Sequence, residues 1–310
     1  MQFTSKQIHT LLTRMKPFRE GSSLRTRRRM QGVLGKLMHA VHPVRVRVKR
    51  QDLGAFPAAW VLPKDIRREG VVLYLHGGGY VCGGLKYALG FGAVLADECG
   101  VRVFCAAYRL APESRFPAAV EDAAAAYRYL LDKGYLPEEI SLCGESAGGG
   151  LCYSLCMYLR QQKLALPGSV IAISPWVDLT GSGESNKKNR DKDAALSIER
   201  LEHCARCYTD TPLEPLASPL LGDLSGMPPS LIFAGGDELL LSDAKRLHEK
   251  LRQQGCVSRL SIRPERWHAY VLYSLGEDRE DMKRIDAFLG KYLSQKRELY
   301  DGKPKEADQR

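Results

Sequence analysis

A mostly parallel α/β architecture, with a central sheet covered by helices on both faces, is what this sequence predicts, and three patterns predict it. Short apolar runs of four to six residues alternate with longer segments of helical spacing from about residue 71 to residue 293. Several of those runs, such as Val71-Val72-Leu73-Tyr74-Leu75, are apolar without interruption, as strands covered on both faces must be. Finally, Ile140 to Cys143 runs directly into Gly144-Glu145-Ser146-Ala147-Gly148, and Leu151, Leu155, Met157, Tyr158 and Leu159 continue as a helix. That is a strand, a sharp turn and a helix, with a serine at the bend.

In chain order, two amphipathic helical stretches come first, with apolar faces at Ile8, Leu11, Leu12 and Met15 and at Val33, Leu34, Leu37 and Val41. Val44 to Val48 alternates with period two and reads as a half-buried strand near a sheet edge, followed by a strand over Ala58 to Leu62. The buried strand Val71 to Leu75 ends in His76-Gly77-Gly78-Gly79-Tyr80, where three glycines imply unusual dihedrals or close approach to a ligand. Helix Ala88 to Glu98, strand Val101 to Ala106, helix Pro117 to Asp132, the strand and helix around Ser146, and strand Val170 to Ser174 follow. From about 179 to 227 the pattern breaks into a polar, partly helical insertion, as expected of a lid or small subdomain. The sheet resumes with Ser230 to Ala234, helix Asp243 to Gln254, strand Ser258 to Arg263 and helix Arg279 to Lys296. Three segments result: 1–43 helical, 44–300 catalytic with the insertion inside it, and a polar tail over 301–310.

Composition narrows the function. The chain carries +10 overall, while residues 1–50 alone hold thirteen Lys or Arg against the single acid Glu20, so the remainder is close to neutral at −2. No aromatic interleaving accompanies the basic stretch, so it reads as the solvated face of helices and not as a nucleic-acid surface. No run of eighteen apolar residues is present, which argues against membrane insertion, and Met1 to Glu20 lacks a signal-peptide core. Nine cysteines scattered through core segments suit reduced thiols, so the expected address is the cytoplasm. Cys204 and Cys207 have ligand spacing but no second pair, and no metal site is read. A P-loop and a dinucleotide fingerprint are both missing, and no cofactor is expected.

A serine hydroxyl needs a base, and the base a group that fixes its tautomer. Of seven histidines, only His268 sits in a short loop after a late strand, where ligand-facing loops of parallel sheets project. The loop Gly235-Gly236-Asp237-Glu238 offers the acid. Asp237 comes first, with Glu238 and Asp243 as neighbouring alternatives. Amides of Gly78, Gly79 and Ala147 are the donors for an oxyanion, and Tyr80, Trp176, Leu239 and Tyr270 are candidates for an apolar pocket wall.

Together His76-Gly-Gly-Gly79, Tyr108-Arg-Leu-Ala-Pro-Glu113 continuing to Phe116-Pro-Ala-Ala-Val-Glu-Asp122, Gly144-Glu-Ser-Ala-Gly-Gly149 and Ser174-Pro-Trp-Val-Asp-Leu-Thr180 resemble the hormone-sensitive-lipase-like branch of the α/β-hydrolases. The resemblance implies the α/β-hydrolase fold and a cofactor-free carboxylesterase acting on small-molecule esters. Its cap would combine the amino-terminal helices with the insertion, and the chain order Ser146, Asp237, His268 fits. It leaves room for a homodimer. Asp237-Glu238-Leu239 departs from the family's Asp-Pro-Leu, and His268-Ala269-Tyr270 from His-Gly-Phe. The Asp-Glu-Leu form resembles a subgroup that includes small-ester and lactone hydrolases. The same triad would also serve lactone opening or removal of acetyl groups from sugars or amides, and a non-catalytic ligand-binding role is the remaining alternative.

Overall fold

The computed structural model describes residues 4–41, 45–273 and 276–293. The tail 301–310, the end of the last expected helix, and Val44 lie outside these residues. Two helices, α1 (Ser5–Gly21) and α2 (Leu24–Val41), precede an edge hairpin of β1 (Val46–Asp52) and β2 (Pro57–Pro63). Then come β3 (Val71–Leu75), α3 (Leu85–Cys99), β4 (Arg102–Ala106), α4 (Ala118–Asp132), β5 (Ile140–Glu145), α5 (Ala147–Gln161) and β6 (Ser169–Ile173). The insertion carries the single-turn α6 (Ser185–Lys188) and α7 (Ile198–Tyr208), and β7 (Ser230–Gly235), α8 (Leu241–Gln253), β8 (Ser258–Arg263) and α9 (Arg279–Tyr292) complete the chain.

One eight-stranded sheet has the order β1-β2-β4-β3-β5-β6-β7-β8. The β1–β2 and β2–β4 pairs are antiparallel and every later pair is parallel. This is the α/β-hydrolase fold. The central strands β3, β4, β5, β6 and β7 are buried along their whole length, which explains their uninterrupted apolar runs. β1 starts later than expected and reaches Asp52, because its ladder with β2 pairs all seven residues from Val46↔Pro63 to Asp52↔Pro57. Its Arg47, Lys49 and Arg50 point charges along an exposed sheet edge, which discourages pairing with another chain.

Helix α2 lies directly on α3. A Cβ at Gly35 would run into the Lys86 and Tyr87 backbone, and one at Gly90 into the Gly35 backbone, so only glycines allow the helices to meet this closely. Arg28 ties α2 down further: Nε donates to Val81 C=O at 2.8 Å, Nη2 to Ala111 C=O at 2.9 Å, and both Nη atoms to Glu113. Helix α1 docks through Ile8 and Leu12 and places His9 against Trp267, ring centroids 6.0 Å apart. Leu11, Met15 and Val33, expected on buried faces, are exposed and border a cavity that is partly open to solvent.

Candidate active site

Ser146 stands between the carboxyl end of β5 and the first turn of α5, with φ 56° and ψ −123°. A non-glycine residue there is strained, and the neighbours hold it so. A Cβ at Gly144 would strike the carbonyl oxygen of Gly148, and one at Gly148 those of Leu75 and His76. The Ser146 N–H donates to Ile173 C=O at 2.9 Å, and its carbonyl accepts from Gly150 N–H at 3.1 Å and Trp176 N–H at 2.9 Å. The backbone is thus pinned on both sides while the side chain meets the cavity.

The glycine loop after β3 is built around buried polar groups. Gly84 N–H points at His76 Nε2 at 3.1 Å, so this nitrogen accepts, and Nδ1 carries the hydrogen toward Gly77 C=O at 2.8 Å. Burial lowers the His76 pKa to about 4, and the ring stays neutral, stacked on Tyr108 at 4.3 Å. Tyr108 in turn donates to His76 C=O at 2.6 Å. Gly78 (φ 121°) and Gly79 (φ 64°) occupy backbone conformations that side chains rarely adopt. Among the described residues, none accepts a backbone bond from the N–H groups of Gly78, Gly79 or Ala147. Gly78 and Gly79 line the same cavity as Ser146, and Ala147 follows the serine in the chain.

Glu145 was not singled out by the sequence. Its carboxylate accepts from Gly77 N–H at 2.6 Å and from Tyr74 O–H at 2.6 Å, so it fastens the glycine loop to the strand bearing the serine. Burial pushes its pKa up to about 7, against the hydrogen bonds from Tyr74, Gly77 and Tyr87 that favour the ionised form. The available signal was an acidic residue at the end of an otherwise apolar strand.

His268 follows β8 and faces the same cavity as Ser146. Its Nδ1 lies 3.3 Å from Glu238 Oε2, with the Glu238 side chain fully buried. Of the two adjacent acids, Glu238, not the expected Asp237, is the one whose carboxylate lies beside His268. Adjacent residues in a tight turn project in different directions, and the insertion sets which one points inward. Asn189 Nδ2 donates to the carbonyls of Gly236 (3.0 Å) and Glu238 (2.9 Å), and Asp193 Oδ2 accepts from Leu239 N–H at 2.8 Å. Asp237 is left half-buried, its N–H bonded to Arg266 C=O at 3.1 Å. Burial raises the Glu238 pKa to about 8, while Ser174 and the N–H groups of Gly235 and Ala269 pull toward the carboxylate. Ser174 also accepts from Ala269 N–H at 3.0 Å, linking the strand end at β6 to the histidine loop. Asp243, the other alternative, is committed elsewhere: it accepts from Val177 N–H and Asp178 N–H at 3.0 Å each.

The cavity has a volume of about 470 Å³ and is walled mainly by apolar side chains, among them Ile8, Leu12, Leu34, Met38, Leu201 and Leu272. Tyr80, Trp176, Leu239 and Tyr270, expected on its wall, are all buried but do not line it. Tyr80 stacks on Tyr208 at 3.8 Å beside Trp176, Leu239 belongs to the core, and Tyr270 O–H donates to Asp281 at 3.0 Å. They pack the layers that carry the site. The true wall comes from the amino-terminal helices and α7, far away in sequence. Among the described residues no group of three or more His, Cys, Asp or Glu is arranged to hold a metal, and all nine cysteines are free thiols.

Comparison with known proteins agrees with this geometry. The model of a family with the α/β-hydrolase fold matches residues 72–272. An acetyl-hydrolase of Streptomyces hygroscopicus is 40% identical over 243 residues, covering 76% of this chain and 80% of the relative. An esterase of Acinetobacter venetianus is 34% identical over 207 residues, covering 66% and 68%. Among solved structures, an esterase from the bacterial hormone-sensitive lipase family superposes with a TM-score of 0.85 at 35% identity, over 92% of this chain and 98% of that one. EstE7, a hormone-sensitive-lipase homologue from a metagenome library, gives 0.85 at 31% identity, over 95% and 100%. No helix among the described residues is long and apolar enough to cross a membrane. With a strained serine, a histidine–carboxylate pair and these relatives together, the chain belongs to the hormone-sensitive-lipase-like branch of the α/β-hydrolases and is a serine-dependent carboxylic ester hydrolase.

Proposed function

We propose that the protein hydrolyses small, short-acyl esters through an acyl-enzyme, with Ser146 as nucleophile, His268 as general base and acid, and Glu238 as the group that orients the imidazole. The observation that carries this reading is the His268 Nδ1–Glu238 Oε2 pair at 3.3 Å on the cavity that Ser146 also faces. His268 Nε2 takes the serine proton as Oγ attacks the ester carbonyl, and the imidazolium so formed stabilises the Glu238 carboxylate that burial otherwise disfavours. The N–H groups of Gly78, Gly79 and Ala147 receive the developing oxyanion, each such donor contributing roughly 2.7–4 kcal/mol. His268 returns the proton to the leaving alcohol, then activates water to release the acid.

Helices α1 and α2 and the insertion 179–227 act as the cap, and a cavity of about 470 Å³ suits a small molecule. The name of the Streptomyces relative supports acetyl and other short acyl groups as substrates. Nine free thiols support a reducing compartment such as the cytoplasm. Profiling p-nitrophenyl esters of two to twelve carbons, beside a lactone and an acetylated sugar, tests the reading. The expected result is highest kcat/KM on the short chains, abolished in Ser146→Ala. Hydrolysis confined to long chains, or surviving in Ser146→Ala, would overturn it.

A further inference from the structure

The cavity is apolar at one end and cationic at the other. Its His268 end is covered by α1, where His9 meets Trp267, and by Leu272. The opposite end lies where α2 begins and α7 passes over the glycine loop. There Arg27 Nη2 approaches His203 of α7 at 3.5 Å, and Cys204 Sγ sits 2.8 Å from where a Gly79 Cβ would be. Arg27 shares a helix face with Gln31, Leu34 and Met38, at spacings of four, three and four residues. Gln31 in turn sits 3.0 Å from the Cβ position of Gly78, so Arg27 stands one helical turn from the oxyanion donors.

Three arginines, Arg27, Arg29 and Arg200, line the cavity without a counter-ion among the described residues, and of these Arg29 is the most exposed while Arg27 and Arg200 are partly buried. Nearby carboxylates are already taken: Glu113 by Arg28, Glu199 by Arg190 and Glu202 by Arg206. Arg27 Nε is buried and has no hydrogen-bond partner among the described residues. A buried guanidinium nitrogen without an acceptor costs free energy that a bound anion would return.

We infer that the protein prefers esters whose acyl group ends in an anion, such as the half-ester of a dicarboxylic acid, held by Arg27 and Arg200. The orientation follows from the chemistry. His268 must protonate the leaving oxygen, so the alcohol lies toward His268 and the acyl chain extends the other way, toward Cys204 and the two guanidiniums. This rests on the esterase reading of Ser146 and specifies its substrate class.

The test compares p-nitrophenyl hydrogen adipate with p-nitrophenyl hexanoate, equal in chain length and differing by the terminal carboxylate. In the wild type at about 20 mM salt, kcat/KM for the adipate is expected to exceed that for the hexanoate by about tenfold, and the ratio to fall at least about threefold at about 500 mM. Arg27→Gln/Arg200→Gln should bring the ratio to about one, chiefly through KM for the adipate. Because the ratio is read within one protein, a general loss of activity cancels, and the wild-type salt series needs no variant. A ratio below one in the wild type, or one indifferent to both salt and the substitutions, overturns the inference while leaving the esterase reading intact. Absence of Ser146-dependent release from either ester would remove both.

Discussion

Replacing Glu238 by Gln and, separately, Asp237 by Asn asks which of two adjacent acids serves His268. Gln keeps the volume of the buried side chain, so no cavity opens, and only the charge and the tautomer control are lost. Two unit charges 3.3 Å apart attract by roughly 5 kcal/mol at an effective dielectric of about 20. Expressed as a barrier, that is roughly a thousand- to ten-thousandfold in rate. The same range is seen when a triad carboxylate becomes an amide in a serine protease, about 10,000-fold. Glu238→Gln is therefore expected to lower kcat on p-nitrophenyl butyrate by at least about a thousandfold, with KM changed little. Asp237→Asn, at a half-buried position, should stay within about threefold of wild type. Steady-state kinetics against a Ser146→Ala blank, with thermal melts to confirm folding, decide the matter. A thousandfold loss in Asp237→Asn together with near-normal Glu238→Gln would refute the assignment.

Three further outcomes are expected. Gly148→Ala sets a methyl group against the carbonyl oxygens of Leu75 and His76, so the elbow must shift, and activity should drop by more than about a hundredfold even in the fraction that folds, as titration with an active-site fluorophosphonate would report. Glu145 carries a pKa raised to about 7 from 4.5, so its contribution to stability is full below about pH 4.5 and is lost as pH rises through 7. Melts from pH 5 to 8 should show wild type losing roughly 3 kcal/mol relative to Glu145→Gln over that window; a pH-independent difference would contradict this. Arg28→Ala removes bonds to two backbone carbonyls and to Glu113, and urea unfolding should show a loss of about 1–3 kcal/mol with a raised KM as α2 loosens.

The succession of strands and helices along the chain and the elbow were legible because they depend on local signals: apolar runs for strands buried on both faces, and glycines at fixed offsets from Ser146. His268 was legible by position, as the histidine in a loop after a late strand. Which of two neighbouring acids stands beside His268 was not readable. Asp237 and Glu238 are neighbours of the same chemistry, and what separates them is the grip of Asn189 and Asp193, 46 to 49 residues upstream of the groups they hold. Pocket walls failed for a related reason. The large aromatic residues Tyr80 and Trp176 stand beside the motifs, but their bulk fills the layer beneath the site. The wall instead belongs to helices whose only mark in the sequence is amphipathicity, and α2 reaches the glycine loop through Gly35 on Gly90 and through Arg28. Glu145 went unnoticed because its partners, Gly77 and Tyr74, lie on another strand and loop.

The clamp of Asn189 and Asp193 on the Gly236–Leu239 turn carries a lesson for recombining these enzymes. An engineer who exchanges insertions between relatives to alter substrate choice would also be exchanging the jig that aims the carboxylate beside His268. A graft that brings a new wall but not an equivalent pair of polar anchors should yield a chimera with an intact serine, an intact histidine and a wandering acid. Crossover points placed after Asp193 would keep the aim while freeing α7 for replacement.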